Sequence, residues 1–411
     1  MVRDRFHRLA AAIVLVIVIP IFVLADDRPI TFNKNFEDAS LGRIEALGPN
    51  EFRCHVEGQC DQRGHNRQAS WYFFRVDAAA GRDLTLTLTD FVGEYNDKPG
   101  AVPMAKGILP VYSDDGVHWR HFDSSAVTWD DQKKEATLRL RPAGDSIWIA
   151  HVAPYTASDL SRLLTELDRS PYARVEVIGR TAQGRDLHMV TVTDFATPDA
   201  GKKVLWLQAR QHAWEAGTSY VMDGALRFIT SGDPRAADLR RRAVFRFTPM
   251  VDVDGCATGK VRFNANGYDV NRHWAAVDLR DKAWLARSPE VWYAKRAITT
   301  AGPIDLMVNL HNTETNEYLD TRADDPAVVK VMNRFYDLLV QHSTFDPARK
   351  LEPHKTAVDD TNMLYDQYRI PVMLMEQRIA AGKKLGHCPT VEDRRQFGRD
   401  LIINMAASVL E

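Results

Sequence analysis

The sequence predicts an antiparallel β-sandwich followed by an α/β domain built on a mixed, mainly parallel sheet flanked by helices. Three observations carry this. The chain has 411 residues, more than one average domain holds. Its hydrophobic period is two up to about residue 167. After about residue 170, strand-like runs alternate with helical patterns. The expected boundaries are 28–167 for the sandwich and 170–411 for the α/β domain.

The first 25 residues stand apart. Arg3, Arg5 and Arg8 precede "LAAAIVLVIVIPIFVLA", which ends before Asp26 and Asp27. A basic start, an apolar middle and small residues at the end read as a secretory signal peptide cut after Ala25. A retained N-terminal anchor is the competing reading, since the run is 17 residues long, the short limit of a membrane span. A membrane is an expected partner only in that second case. Both readings put the body of the protein outside the cytoplasm, secreted or periplasmic.

In the sandwich, "DLTLTLTDF" alternates Leu84, Leu86 and Leu88 with threonines, and "EATLRLRP" puts Leu138 and Leu140 on one face. "SWYFFRVD" and "DSIWIAHV" add aromatic and β-branched runs. "TASDLSRLLTELDR" then reads as a helix capped by Ser158, closing the domain. Cys54 and Cys60 frame a loop that a disulfide could close, and Cys256 with Cys388 is a second candidate pair.

In the α/β domain, "KKVLWLQA", "AVFRFTPMV", "PIDLMVNL" and "IPVMLM" read as strands. Between them, Val221, Ala225, Phe228 and Ile229 form a helical stripe, and "PAVVKVMNRFYDLLVQH" is a second helix. Net charge is near neutral, 53 basic against 55 acidic residues. No extended surface for a polyanion is implied, and nucleic acid is not an expected partner.

Ligands collect beyond the carboxyl ends of strands in such sheets. His212 and Glu215 follow the first strand, His311 the third and Glu376 the fourth. Alone, a His and a Glu three apart make an ordinary ion pair at a helix start. Together with a distant His they form a set of two imidazoles and one carboxylate that suits Zn2+ with a position left open. Glu376 is then placed to move a proton. Between them, "GKVRFNANGYDVNRHW" concentrates Arg262, Asn271 and Arg272, and guanidinium forks bind carboxylates bidentately.

"HAWE", "DVDG", "GYDVNRHW", "LHN" and "LMEQ", in this order, resemble the zinc carboxypeptidases of the M14 type, from about residue 174 to the end. "WYFFRV" and "IWIAHVAPYTASDLSRLL" resemble the sandwich domain that precedes the peptidase in the cytosolic carboxypeptidase branch. The resemblance implies one Zn2+ per chain, held by His212, Glu215 and His311. Glu376 would be the general base that assists a zinc-bound water, and Arg262 the residue polarising the scissile carbonyl. Asn271 and Arg272 would hold the terminal carboxylate, and Asp269 would orient His212. The implied activity is a metallocarboxypeptidase acting on the C-termini of peptides or proteins. A zinc amidohydrolase on the same scaffold, deacylating or trimming peptidoglycan stem peptides, and a silent peptide-binding module are the alternatives.

Three features depart from the family pattern. "DVDG" stands where Asn-Pro-Asp-Gly is common, His354 or Lys355 stands about where many members carry a substrate-capping Tyr, and Asp359 and Asp360 lie in the segment that floors the specificity pocket. Both aspartates also suit an ordinary turn.

Overall fold

The structure is a computed structural model that describes residues 28–351 and 362–411. The signal or anchor expected over residues 1–25, His354, Lys355, Asp359 and Asp360 lie outside the described residues. Among the described residues no helix is long and apolar enough to cross a membrane.

The N-terminal half is two five-stranded sheets. One orders Thr31–Asn33, Phe73–Asp77, Ser146–Ala150, Val111–Ser113 and Arg120–His121. The other orders Val127–Asp130, Glu135–Leu140, Leu84–Thr89, Glu51–His55 and Ile44–Ala46. Alternation makes each sheet one-sided: Leu84, Leu86, Leu88 and Leu138 are buried, and so are Phe74, Val76, Ile147 and Ile149 from the other sheet. Phe32 and Phe52 join the two at a ring distance of 5.0 Å. One pair departs from the antiparallel expectation, because Glu51–His55 and Leu84–Thr89 run parallel. Between them the chain crosses to the other sheet through Phe73–Asp77 and returns in its original direction. A small four-stranded sheet, Gln59–Cys60, Arg67–Gln68, Glu94–Tyr95 and Lys98–Pro99, is added to this half. All four cysteines are free, so neither candidate disulfide forms. Cys54 is buried in the sandwich while Cys60 is exposed.

The helix Ala157–Leu167 buries Leu160, Leu163, Leu164 and Leu167. Its cap is Thr156, not Ser158. Thr156 Oγ1 accepts from the Asp159 amide at 3.2 Å, and the Asp159 carboxylate accepts from the Thr156 amide at 2.7 Å. This reciprocal box satisfies two end groups where a lone Ser158 would satisfy one.

The C-terminal half is built on a seven-stranded sheet ordered Ala173–Arg180, Asp186–Val192, Ala243–Thr248, Lys203–Ala209, Leu306–Thr313, Val372–Arg378, Tyr318–Thr321. The four strands from Ala243–Thr248 to Val372–Arg378 are parallel to one another, and the outer ones pair antiparallel. The helices Ala216–Thr230 and Val391–Leu410 cross at their glycines. A Cβ on Gly224 would stand 2.0 Å from the Arg395 carbonyl oxygen, and one on Gly398 1.9 Å from that of Val221. His311 and Glu376, expected just past their strands, lie inside them. The parallel ladder pairs His311 with Glu376 and continues to Thr313 and Arg378.

Candidate metal centre

Strand Lys203–Ala209 ends at Arg210, which turns the chain with φ of 57°. L-residues seldom take that conformation. Its side chain holds it there: the buried guanidinium donates to the Tyr155 carbonyl at 3.0 Å, to Ser219 Oγ at 3.2 Å and to the Ala213 carbonyl at 2.6 Å. The turn therefore presents His212 and Glu215 from one wall, with Glu215 at the cap position of helix Ala216–Thr230. Trp214 donates its amide to the Val261 carbonyl at 3.0 Å and packs its ring 6.0 Å from that of His151.

The "DVDG" loop lies behind this turn. Asp252 takes the cap of helix Val253–Thr258 by accepting from the Gly255 amide at 2.9 Å, so a carboxylate serves where the family pattern commonly has an Asn.

His212, Glu215 and His311 come together, and their candidate ligand atoms lie within 4.8 Å of one another. All three side chains are buried. His212 Nδ1 is 2.8 Å from Glu215 Oε1, and His311 Nδ1 is 3.0 Å from Glu215 Oε2. Of the other ring nitrogens, His212 Nε2 is 3.2 Å from Asp269 Oδ1, and His311 Nε2 lies between Gln211 Oε1 at 3.0 Å and Asn309 Nδ2 at 2.9 Å. With a proton on each Nε2, both Nδ1 lone pairs aim at a buried carboxylate. A cation between them relieves that convergence, and two imidazoles with one carboxylate are a zinc donor set. The residues present therefore fit a zinc ion.

The electrostatics run the same way. Burial alone would raise the Glu215 carboxyl, but His311 and His212, when protonated, outweigh it and hold it below its ordinary value. Burial lowers His311, favouring the neutral imidazole that a metal requires, although Glu215 opposes the shift.

Asp269 is placed by a hairpin closed at the Phe263–Asp269 bridge. Besides His212 it holds Arg262, whose Nε donates to Asp269 Oδ2 at 2.7 Å, and it accepts the Asn271 amide at 2.9 Å. Its burial would raise the carboxyl, but Arg262 above all holds it well below the usual carboxylate range. Asn271 Nδ2 lies 3.4 Å from His311 Nε2, and the exposed Arg272 bonds its own neighbour, the Asn271 carbonyl. Glu376 shares the row of His311 on the adjacent strand, with Tyr318 opposite it on the edge strand. Burial first, then the nearby Glu215 charge, pushes the Glu376 carboxyl well above its ordinary value. Arg378, two residues beyond Glu376 on the same strand, lies against Glu317 and Asp346, at 3.6 and 3.5 Å. His273 stacks near Tyr268 and Trp284, at 5.4 and 5.6 Å, as a packing residue.

Two residues of the site escaped the sequence. Gln211 faces His311, and Asn309 donates to the same Gln211 oxygen at 2.7 Å. Asn309 stands two residues before His311 on its strand, so period-two alternation would have placed it on the ligand's face.

A model of the zinc carboxypeptidase family matches residues 161–318, and one of the cytosolic carboxypeptidase N-terminal domain matches residues 32–152. The first ends short of Glu376, whose place rests on the strand register. Cytosolic carboxypeptidase 2 of Mus musculus is 28% identical over 66% of this chain and 33% of its own length. Cytosolic carboxypeptidase 6 of Caenorhabditis elegans is 26% identical over 60% of this chain and 54% of its own. An uncharacterized protein of Zymomonas mobilis is 27% identical over 82% of this chain and 87% of its own. The chain thus spans about a third of the length of the mouse relative. Among solved structures, a metallo-carboxypeptidase of Burkholderia cenocepacia superposes with a TM-score of 0.80 at 22% identity, covering 93% of this chain and 99% of that one. This likeness carries the fold. The matches also overturn the expected secreted or periplasmic location, because the N-terminal domain model and the mouse and Caenorhabditis elegans relatives are those of cytosolic carboxypeptidases.

Proposed function

We propose that the chain is a metallocarboxypeptidase of the zinc carboxypeptidase kind, removing C-terminal residues from peptides or proteins at the centre just described. In this reading His212, Glu215 and His311 hold one Zn2+. The ion would supply Lewis acidity, lowering the pKa of a water and polarising a carbonyl.

The remaining work falls to this chain's side chains. Glu376 takes a proton from the attacking water and returns it to the leaving amine. A carboxyl raised by burial and by Glu215 has the basicity for both transfers. Arg262, locked by Asp269, offers its remaining N–H groups to the developing oxyanion. Asn271 and Arg272 bind the free carboxylate and so restrict cleavage to the last peptide bond. The convergence of two imidazole Nδ1 atoms on the buried Glu215 carboxylate is the observation that carries the reading.

The test is to purify the full chain, measure bound metal and follow a peptide library by mass spectrometry. Stepwise loss of single C-terminal residues that stops with a chelator and with Glu376→Gln supports the reading. Stoichiometric zinc without any cleavage sinks it in favour of a binding module.

A further inference from the structure

Gln59 belongs to the N-terminal domain, yet its side chain ends in the wall of the metal centre. Its Oε1 accepts the amides of Val261, Arg262 and Phe263, at 3.0, 2.8 and 2.9 Å, and its Nε2 donates to the Phe263 carbonyl at 2.5 Å. Three donors converging on one atom require an oxygen there, so the amide has one possible orientation.

The loop that presents Gln59 is itself fixed. Arg67 donates to four main-chain carbonyls, those of Val56 and Glu57 at 2.9 and 3.1 Å and those of Asp90 and Val92 at 3.1 and 3.0 Å. Gly58 takes φ of 69°, and a Cβ there would stand 2.8 Å from that guanidinium. On its far side the gripped segment accepts the Trp214 amide through the Val261 carbonyl at 3.0 Å. Residues 261–263 are thus held between the accessory domain and the turn that carries His212 and Glu215.

We propose that Gln59 is a positioning residue for the reaction: by fixing the main chain of Val261–Phe263 it aims the Arg262 guanidinium, so the N-terminal domain completes the active site. The proposal rests on the reading of Arg262 as the group that stabilises the oxyanion. Domain adhesion alone would be satisfied by an apolar contact. Three amides gathered on one oxygen instead fix the torsions on both sides of Arg262, and displacements of about 1 Å at reacting groups can cost about a hundredfold in rate.

The experiment compares Gln59→Met, which keeps length and loses the acceptor, with Gln59→Glu, which keeps the acceptor, and with Arg262→Ala and the double variant. The readouts are kcat, KM, zinc stoichiometry and affinity for a phosphonate isostere of a cleaved peptide. The expected result is a kcat loss of roughly ten- to a hundredfold for Gln59→Met, with zinc retained and phosphonate affinity falling in parallel. Gln59→Glu keeps the acceptor but sets its second oxygen against the Phe263 carbonyl and recovers part of the activity lost in Gln59→Met, and Gln59→Met adds almost nothing in the Arg262→Ala background. If Gln59→Met does not fold, Gln59→Asn, with its amide drawn back by one methylene, reads the same displacement. Unchanged kcat, or losses that multiply in the double variant, overturns the proposal while leaving Arg262 its role. A silent Arg262→Ala overturns that role and the proposal with it.

Discussion

His311 and Glu376 are register partners on adjacent parallel strands and point to the same side of the sheet. Their separation is set by main-chain hydrogen bonds, so the proposed ligand and the proposed base are aligned before any substrate arrives. Glu376→Gln is therefore expected to leave the metal in place and the fold unchanged, while kcat falls by a factor of about 100 to 10,000. Metal analysis beside turnover on one peptide checks this; loss of zinc would show that Glu376 supports the site rather than the chemistry.

The outer partners of the imidazoles are predicted to matter nearly as much as the ligands. Asp269→Ala and Gln211→Leu should each weaken zinc by roughly 10- to 100-fold, because the proton on Nε2 loses its acceptor. Competition with a fluorescent chelator measures the shift. His212→Ala and Glu215→Ala should release the metal altogether while the sandwich stays folded.

His151 gives a pH prediction. It is buried between Tyr72 and Trp214, with ring distances of 5.4 and 6.0 Å, and burial lowers its pKa to about 4. The fold keeps it neutral, while the unfolded chain takes up a proton below about pH 6.5. Stability is therefore full above that pH, falls as pH drops toward 4, and levels off below. The slope contributed is at most about 1.4 kcal/mol per pH unit. Denaturant midpoints between pH 4 and 7 should slope less steeply for His151→Phe than for the parent chain; parallel slopes would remove His151 from the account.

The cysteines give a chemical one. Cys60 is exposed, whereas Cys54, Cys256 and Cys388 are buried, and burial pushes the Cys54 thiol up to about 12. Iodoacetamide on the native protein should label Cys60 alone, and all four after unfolding. Peptide mapping reads the pattern, and a Cys54–Cys60 bridge would appear as two cysteines missing until reduction.

The proposed metal ligands were legible because their chemistry is rare and their positions were tied to strand ends. His212, Glu215 and His311 needed only a sheet to bring them together, and the hydrophobic runs specified that sheet. Gln59 and Gln211 were not legible: an amide has no characteristic spacing, and Gln59 meets Arg262 across 203 residues of chain. Ser158 is the expected cap, yet "TASD" holds the reciprocal pattern that the structure uses, Thr156 then Asp159 three residues on. The parallel pair in the sandwich was hidden because alternation reports which face a residue takes and not which way its neighbour runs.

Arg210 shows why the centre can stand ready. A left-handed residue at the mouth of a strand is strained, and three neutral acceptors around its guanidinium keep it there. None of those acceptors belongs to a proposed ligand. The turn is thus shaped by the protein alone, and capturing an ion need not organise the chain around it. If the centre binds zinc as proposed, metal-depleted protein should take the ion up about as fast as it sheds its water shell, with no refolding step in between.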